Sequence, residues 1–132
     1  MKQIVVLVLI TSLSLLYACK QSPEEMIVGD WQLSDVETNQ HIPDADMEVY
    51  KQAIENMKAS TRMTLKSDKT YESTINGVTT KGQWELNVEE NLVRFIDETG
   101  SKVDLHLKEL SENKLTFEEE EDGTISKLTF VK

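Results

Sequence analysis

From Ser60 to the C-terminus, apolar side chains recur at every second residue, and the runs are cut at short intervals by turn-forming residues. Successive side chains of a strand point to opposite faces, so this alternation marks half-buried strands and is incompatible with helix over the same stretch. Met63 and Leu65 share a face. The turn residues Ser67-Asp68-Lys69 follow, and then Tyr71, Ser73 and Ile75 form the inner face of the next strand. Asn76-Gly77 and Asp122-Gly123 are two-residue hairpin signals, because both residues of a type I′ turn need positive φ. Between them, Trp84, Leu86 and Val88 alternate with Gln83, Glu85 and Asn87, and Val103, Leu105 and Leu107 alternate with Asp104, His106 and Lys108. A strand at 92–96 separates these two. Leu115, Phe117, Leu128 and Phe130 complete the pattern.

The same period opens the folded body at residues 26–33, where Ile27, Gly29, Trp31 and Leu33 fall on one face. Trp31 is a large apolar anchor, and Gly29 beside it leaves room for another group to approach. One helix is expected after this strand. Pro43 and Asp44 supply its start, with Asp44 as N-cap, and Met47, Tyr50, Ile54 and Met57 make a single apolar stripe. A short helix needs tertiary contact to persist, so the stripe is read as packing rather than as a lid over a ligand.

About eight short strands joined by tight turns make an antiparallel meander, and closure is the most economical way to remove its exposed edges. The expected fold is therefore all-β: an up-and-down barrel of about eight strands, with one short helix after the first strand and lying across an open end. An interior of that size is either filled by side chains or holds one small ligand.

Gly29-Asp30-Trp31, the stretch from Met63 to Tyr71, and Gly82-Gln83-Trp84-Glu85-Leu86 resemble the Gly-x-Trp pattern of the lipocalin and calycin superfamily. They are most similar to the small lipocalin-like domains of bacterial envelope lipoproteins. The resemblance implies a calycin barrel in which Trp31 is structural. It also implies a basic residue near the last strand, packed over that tryptophan, for which the end of the chain offers Lys127 and Lys132. The short strands argue against a roomy cavity.

Ahead of the barrel, Lys2 and an apolar run over residues 4–16 read as a signal peptide, since about 20 apolar residues are needed to span a bilayer. Leu16-Tyr17-Ala18-Cys19 resembles the lipobox of bacterial lipoproteins. That resemblance implies removal of residues 1–18 and a diacylglyceryl and N-acyl (palmitate-class) modification of Cys19. A signal peptide cut elsewhere would instead leave Cys19 a stray thiol. Residues 19–25 are then lipidated cysteine and polar tether, and residues 26–132 the barrel domain. Lys20 stands where an inner-membrane retention aspartate would be, so the outer membrane is the expected address.

With one cysteine there is no intramolecular disulfide, and stability must come from burial. The chain has 14 Lys+Arg against 24 Asp+Glu, a formal charge of −10, and loss of Lys2 with the leader makes it more negative. That excess of acid excludes nucleic acid and electrostatic adhesion to anionic lipid, so the acyl chains alone must hold the protein at the membrane.

Catalytic chemistry is hard to find. His41 and His106 are the only imidazoles, and they lack ligand spacing to each other or to Cys19; no metal, cofactor or enzyme activity is expected. Glu118 to Asp122 lacks the interleaved pattern of a calcium loop and reads as a solvated hairpin tip. Two functions survive for this expected monomer: a binding module for a small apolar ligand or envelope component, or a filled barrel presenting acidic loops to a partner protein. The size of the interior separates them.

Overall fold

The computed structural model describes residues 20–132. Ser22 opens the described chain's first element. Its Oγ accepts from Glu25 N at 3.3 Å, Pro23 occupies the first turn, and Glu24 and Glu25 face the positive end of a five-residue helix, α1 (Pro23–Ile27). Ser-Pro-Glu-Glu is a helix-start signal, so part of the stretch expected to be an irregular tether is helical. The first strand accordingly begins at Gly29 rather than Met26.

Eight antiparallel strands follow: β1 (Gly29–Thr38), β2 (Arg62–Leu65), β3 (Thr70–Ile75), β4 (Val78–Asn87), β5 (Leu92–Asp97), β6 (Lys102–Leu110), β7 (Lys114–Glu121) and β8 (Thr124–Val131). Each pairs with its chain neighbour, and β8 pairs back onto β1, closing the barrel. The closed meander is the architecture the alternation predicts. Asn76 and Gly77 have φ of 50° and 81°, and Asp122 and Gly123 have 50° and 79°, so both hairpins are the expected left-handed turns. Gly82 has a different task. A Cβ there would lie 1.9 Å from the Ile96 carbonyl oxygen and 2.8 Å from Asp97 Cα, so β4 and β5 meet at a separation only glycine permits.

The helix after β1 starts later than expected. A 3₁₀ turn takes Asp44–Asp46, and α2 runs over Met47–Ser60 with Asp46, not Asp44, at its N-cap position and no side-chain capping bond. Nor does α2 lie across an end. β2 has four residues and pairs only with Gly29–Gln32 of β1, so the upper part of β1 lacks a β2 partner; α2 packs against β1 and β3 there. Gln32 Nε2 donates to the carbonyls of Lys58 and Thr61, tying the helix end to the wall. The Met47–Tyr50–Ile54–Met57 stripe is half-buried, with Met57 against the core.

The barrel base is solid. Ile27, Trp31, Leu65, Trp84, Val93 and Leu115 are fully or almost fully buried. Each indole satisfies its one donor on a backbone carbonyl: Trp31 Nε1 to Ile27 O at 2.8 Å, and Trp84 Nε1 to Lys66 O at 3.1 Å. Each also carries an ammonium over its ring, Lys132 Nζ at 4.7 Å from the Trp31 centroid and Lys69 Nζ at 4.2 Å from that of Trp84. Lys132 thus takes the place over Trp31 that the Gly-x-Trp resemblance implies for a basic residue. It reaches Trp31 across Gly29, where a Cβ would stand 2.7 Å from Lys132 Cε, and Nζ donates to Met26 O at 3.0 Å.

Candidate functional site at the barrel mouth

Up-and-down winding sends alternate turns to opposite poles. Residues 66–69, 88–91 and 111–113 turn at the base beside α1, while residues 76–77, 98–101 and 122–123 turn at the other pole. That second pole is open. A cavity of about 210 Å³ enters it, floored by Met63, Tyr71, Phe95, Phe117 and Phe130 and walled by Ile75, Val103, Leu105 and Leu128.

The floor has a definite shape. Inward positions of β3, β5, β7 and β8 each contribute one aromatic ring, and the rings meet edge to face in a row. Centroids are 5.1 Å apart for Tyr71–Phe95 and 6.1 Å apart for both Phe95–Phe117 and Phe117–Phe130. Such contacts interlock rings without filling all the space above them. Ile75 and Val103 at the rim are about half exposed, so apolar surface continues from the floor to solvent.

Among the described residues no charged side chain lines this cavity. The uncharged polar residues Thr61, Ser73 and Thr80 and the Tyr71 phenol complete the lining. Burial, and secondarily the Asp97 carboxylate, pushes the Tyr71 phenol above its ordinary range, so it stays neutral at physiological pH. Asp97 is held ionised below the usual carboxylate range, chiefly by the Thr99 hydroxyl and also by the Thr99 and Ser101 amides, and it fastens the β5–β6 turn. The mouth is therefore a neutral, mostly apolar surface. A wider groove of about 440 Å³ crosses the outside of β3–β5, but Lys66, Lys81, Glu72, Asp97 and Glu98 line it. Solvated charges there offer no dry surface, and the smaller mouth is the better site for an apolar body.

The singled-out residues are placed as follows. His41 and His106 are exposed, and among the described residues no group of three or more His, Cys, Asp or Glu could hold a metal. Glu119 to Asp122 are exposed at the β7–β8 hairpin, and Glu118 pairs with Lys108 at 3.6 Å. Trp31 lies in the base and does not line the mouth. Cys19 and residues 1–18 lie outside the described residues. The cavity residues themselves were not singled out by sequence. The available signal was one aromatic residue at an inward position on each of four strands.

Fold and mouth together define a closed eight-stranded lipocalin-like barrel with a small open cavity. The family model described as a C-terminal lipocalin-like domain matches residues 15–120, and the chain belongs to that family. It is similar in fold to the crystal structure of a DUF4847 family protein from Bacteroides vulgatus ATCC 8482, at 15% identity and a TM-score of 0.58, covering 82% of this chain and 94% of that one. A search of the curated proteins returns no match.

Proposed function

We propose that this protein is a lipid-anchored, non-catalytic binding module of the bacterial envelope that takes one small apolar ligand into the barrel mouth. The observation that carries it is the uncharged cavity of about 210 Å³ over the aromatic row. A barrel serving only as a partner-docking surface needs no such space. An engineered apolar cavity of about 150 Å³ takes up benzene, so this one suits a single ring or the end of a short chain, with anything longer protruding from the mouth.

Cys19 is the proposed lipid attachment point. Among the described residues no helix is long and apolar enough to cross a membrane. Two residues, Lys20 and Gln21, separate Cys19 from Ser22, a reach of about 10 Å, and α1 sits at the packed base. Anchoring at Cys19 therefore holds the base toward the bilayer and turns the mouth away from it, toward ligands in the aqueous phase.

Two measurements test this. Saturating toluene should raise the melting temperature of the wild type and leave that of a mouth-filling Leu105→Trp variant unmoved; equal behaviour of the two removes the cavity as the site. Fatty-acid labelling should vanish in Cys19→Ala, and an unlabelled wild type ends the anchor.

A further inference from the structure

The base pole carries an unfilled apolar surface of its own. α1 seats Ile27 in the core, fully buried, and packs against β6. Beside it a groove of about 190 Å³ stays open, lined by Pro23 and Met26 of α1, Leu86 of β4, Val88 just beyond it, and Leu107 and Leu110 of β6. Val88 is 53% exposed, so the groove is reached directly from solvent. Lys108 and Glu109 border it too, but each already faces an opposite charge on β7, Glu118 at 3.6 Å and Lys114 at 3.4 Å. The described lining thus offers apolar contact and no unpaired charge for a head group.

The place of the groove names its occupant. Cys19 stands four positions before Pro23, a span of at most about 14 Å. A groove this small gives a free lipid little to hold. A chain tethered beside it needs far less, because a short linker raises its effective concentration to about the millimolar range.

We propose that the base groove is the seat of one acyl chain carried by Cys19. This account rests on the lipid attachment proposed above. An engineered apolar cavity of about 150 Å³ takes up benzene, so about 190 Å³ accepts a stretch of roughly six to eight carbons. The rest of that chain, and the other chains, remain for the bilayer. The seated stretch lies along Pro23 and Met26, pins α1 to β6, and fixes the angle at which the barrel stands on the membrane.

The test uses the acylated protein, purified from bacteria that process its leader and grown on isotope-labelled palmitate. In dodecylphosphocholine micelles, NOEs filtered for the label report only the protein's own acyl chains. They should reach the side chains of Met26 and Leu107 and miss Ile75 and Val103 at the mouth. Val88→Glu, which puts a carboxylate on the exposed edge of the groove, should lose these contacts and keep the label. Val103→Glu, the same change at the opposite pole, should keep both. Labelled wild type whose acyl NOEs reach only detergent, or reach the mouth, overturns the groove and leaves the anchor standing. So does a Val88→Glu protein that keeps its Met26 and Leu107 contacts. If free labelled palmitate gives the same contacts in Cys19→Ala, the groove takes any lipid and its assignment to Cys19 falls. A wild type that takes up no label removes anchor and groove together.

Discussion

Phe117 stands between the packed base and the open mouth, and its truncation is the most informative single change. Its ring is 1% exposed and meets Phe95 and Phe130 edge to face at 6.1 Å on either side. Burying a phenylalanine side chain contributes up to about 3 kcal/mol, each aromatic pair adds about 0.5–1.5, and the vacated space carries its own penalty. Phe→Ala substitutions in cores cost about 3–5 kcal/mol. The adjoining cavity lets neighbours relax or water enter, so the lower half of that range is expected for Phe117→Ala, about 3–4 kcal/mol. Set against a typical total of about 5–15 kcal/mol, that is a large fraction. Urea melts followed by fluorescence of the buried Trp31 and Trp84 should show the midpoint falling by about 2 M with an unchanged slope. Val103→Ala at the half-exposed rim should cost under about 1 kcal/mol. A cost below about 1 kcal/mol for Phe117→Ala would refute the division of the barrel into a solid base and a floored mouth.

Gly82→Ala should unfold the barrel or break the β4–β5 pairing, because the atoms a Cβ would strike are backbone; retention of the wild-type melting temperature would show that the strands do not meet so closely. Replacing Lys132 by Ala should lower stability by about 1 kcal/mol and redden Trp31 emission as water reaches the ring, and an unshifted spectrum would contradict the capping role. Asp68 and Asp97 are both held below the ordinary carboxylate range, chiefly by the hydroxyls of Thr70 and Thr99 respectively. Depressed carboxylates stabilise the fold above their unfolded pKa, and that contribution disappears as pH falls through the folded value. Acid melts should therefore lose stability below about pH 4, with a smaller loss in Asp97→Asn; identical acid profiles would dismiss the turn carboxylate.

Strand count, hairpin positions and inward faces were legible because a period of two reports face directly, and Asn-Gly and Asp-Gly report backbone hand. Tyr71, Trp84, Leu115 and Phe130 are all buried as alternation demands. The helix stripe was legible too, but not its seat, since only the shortness of β2 opens a gap in the wall. α1 leaves no periodic trace because it is a single turn, and its signal lies in Ser22, Pro23 and the two glutamates. The division between filled base and hollow mouth was not legible at all. Alternation decides which side chains point inward, whereas strand tilt and stagger decide how much room they leave. Thr61 is hidden for a related reason: it precedes the apolar run, and only its pairing with Leu33 extends the interior face to it.

The binding role is tested most directly by intermolecular NOEs between toluene and the wild-type protein. Contacts are predicted to the rings of Phe95 and Phe117 and the methyls of Ile75 and Leu128, saturating at one ligand per chain, with none to Trp31 or Trp84 in the base. Contacts confined to the outer groove between Lys66 and Lys81, or no saturable contact at all, would contradict a ligand site in the mouth.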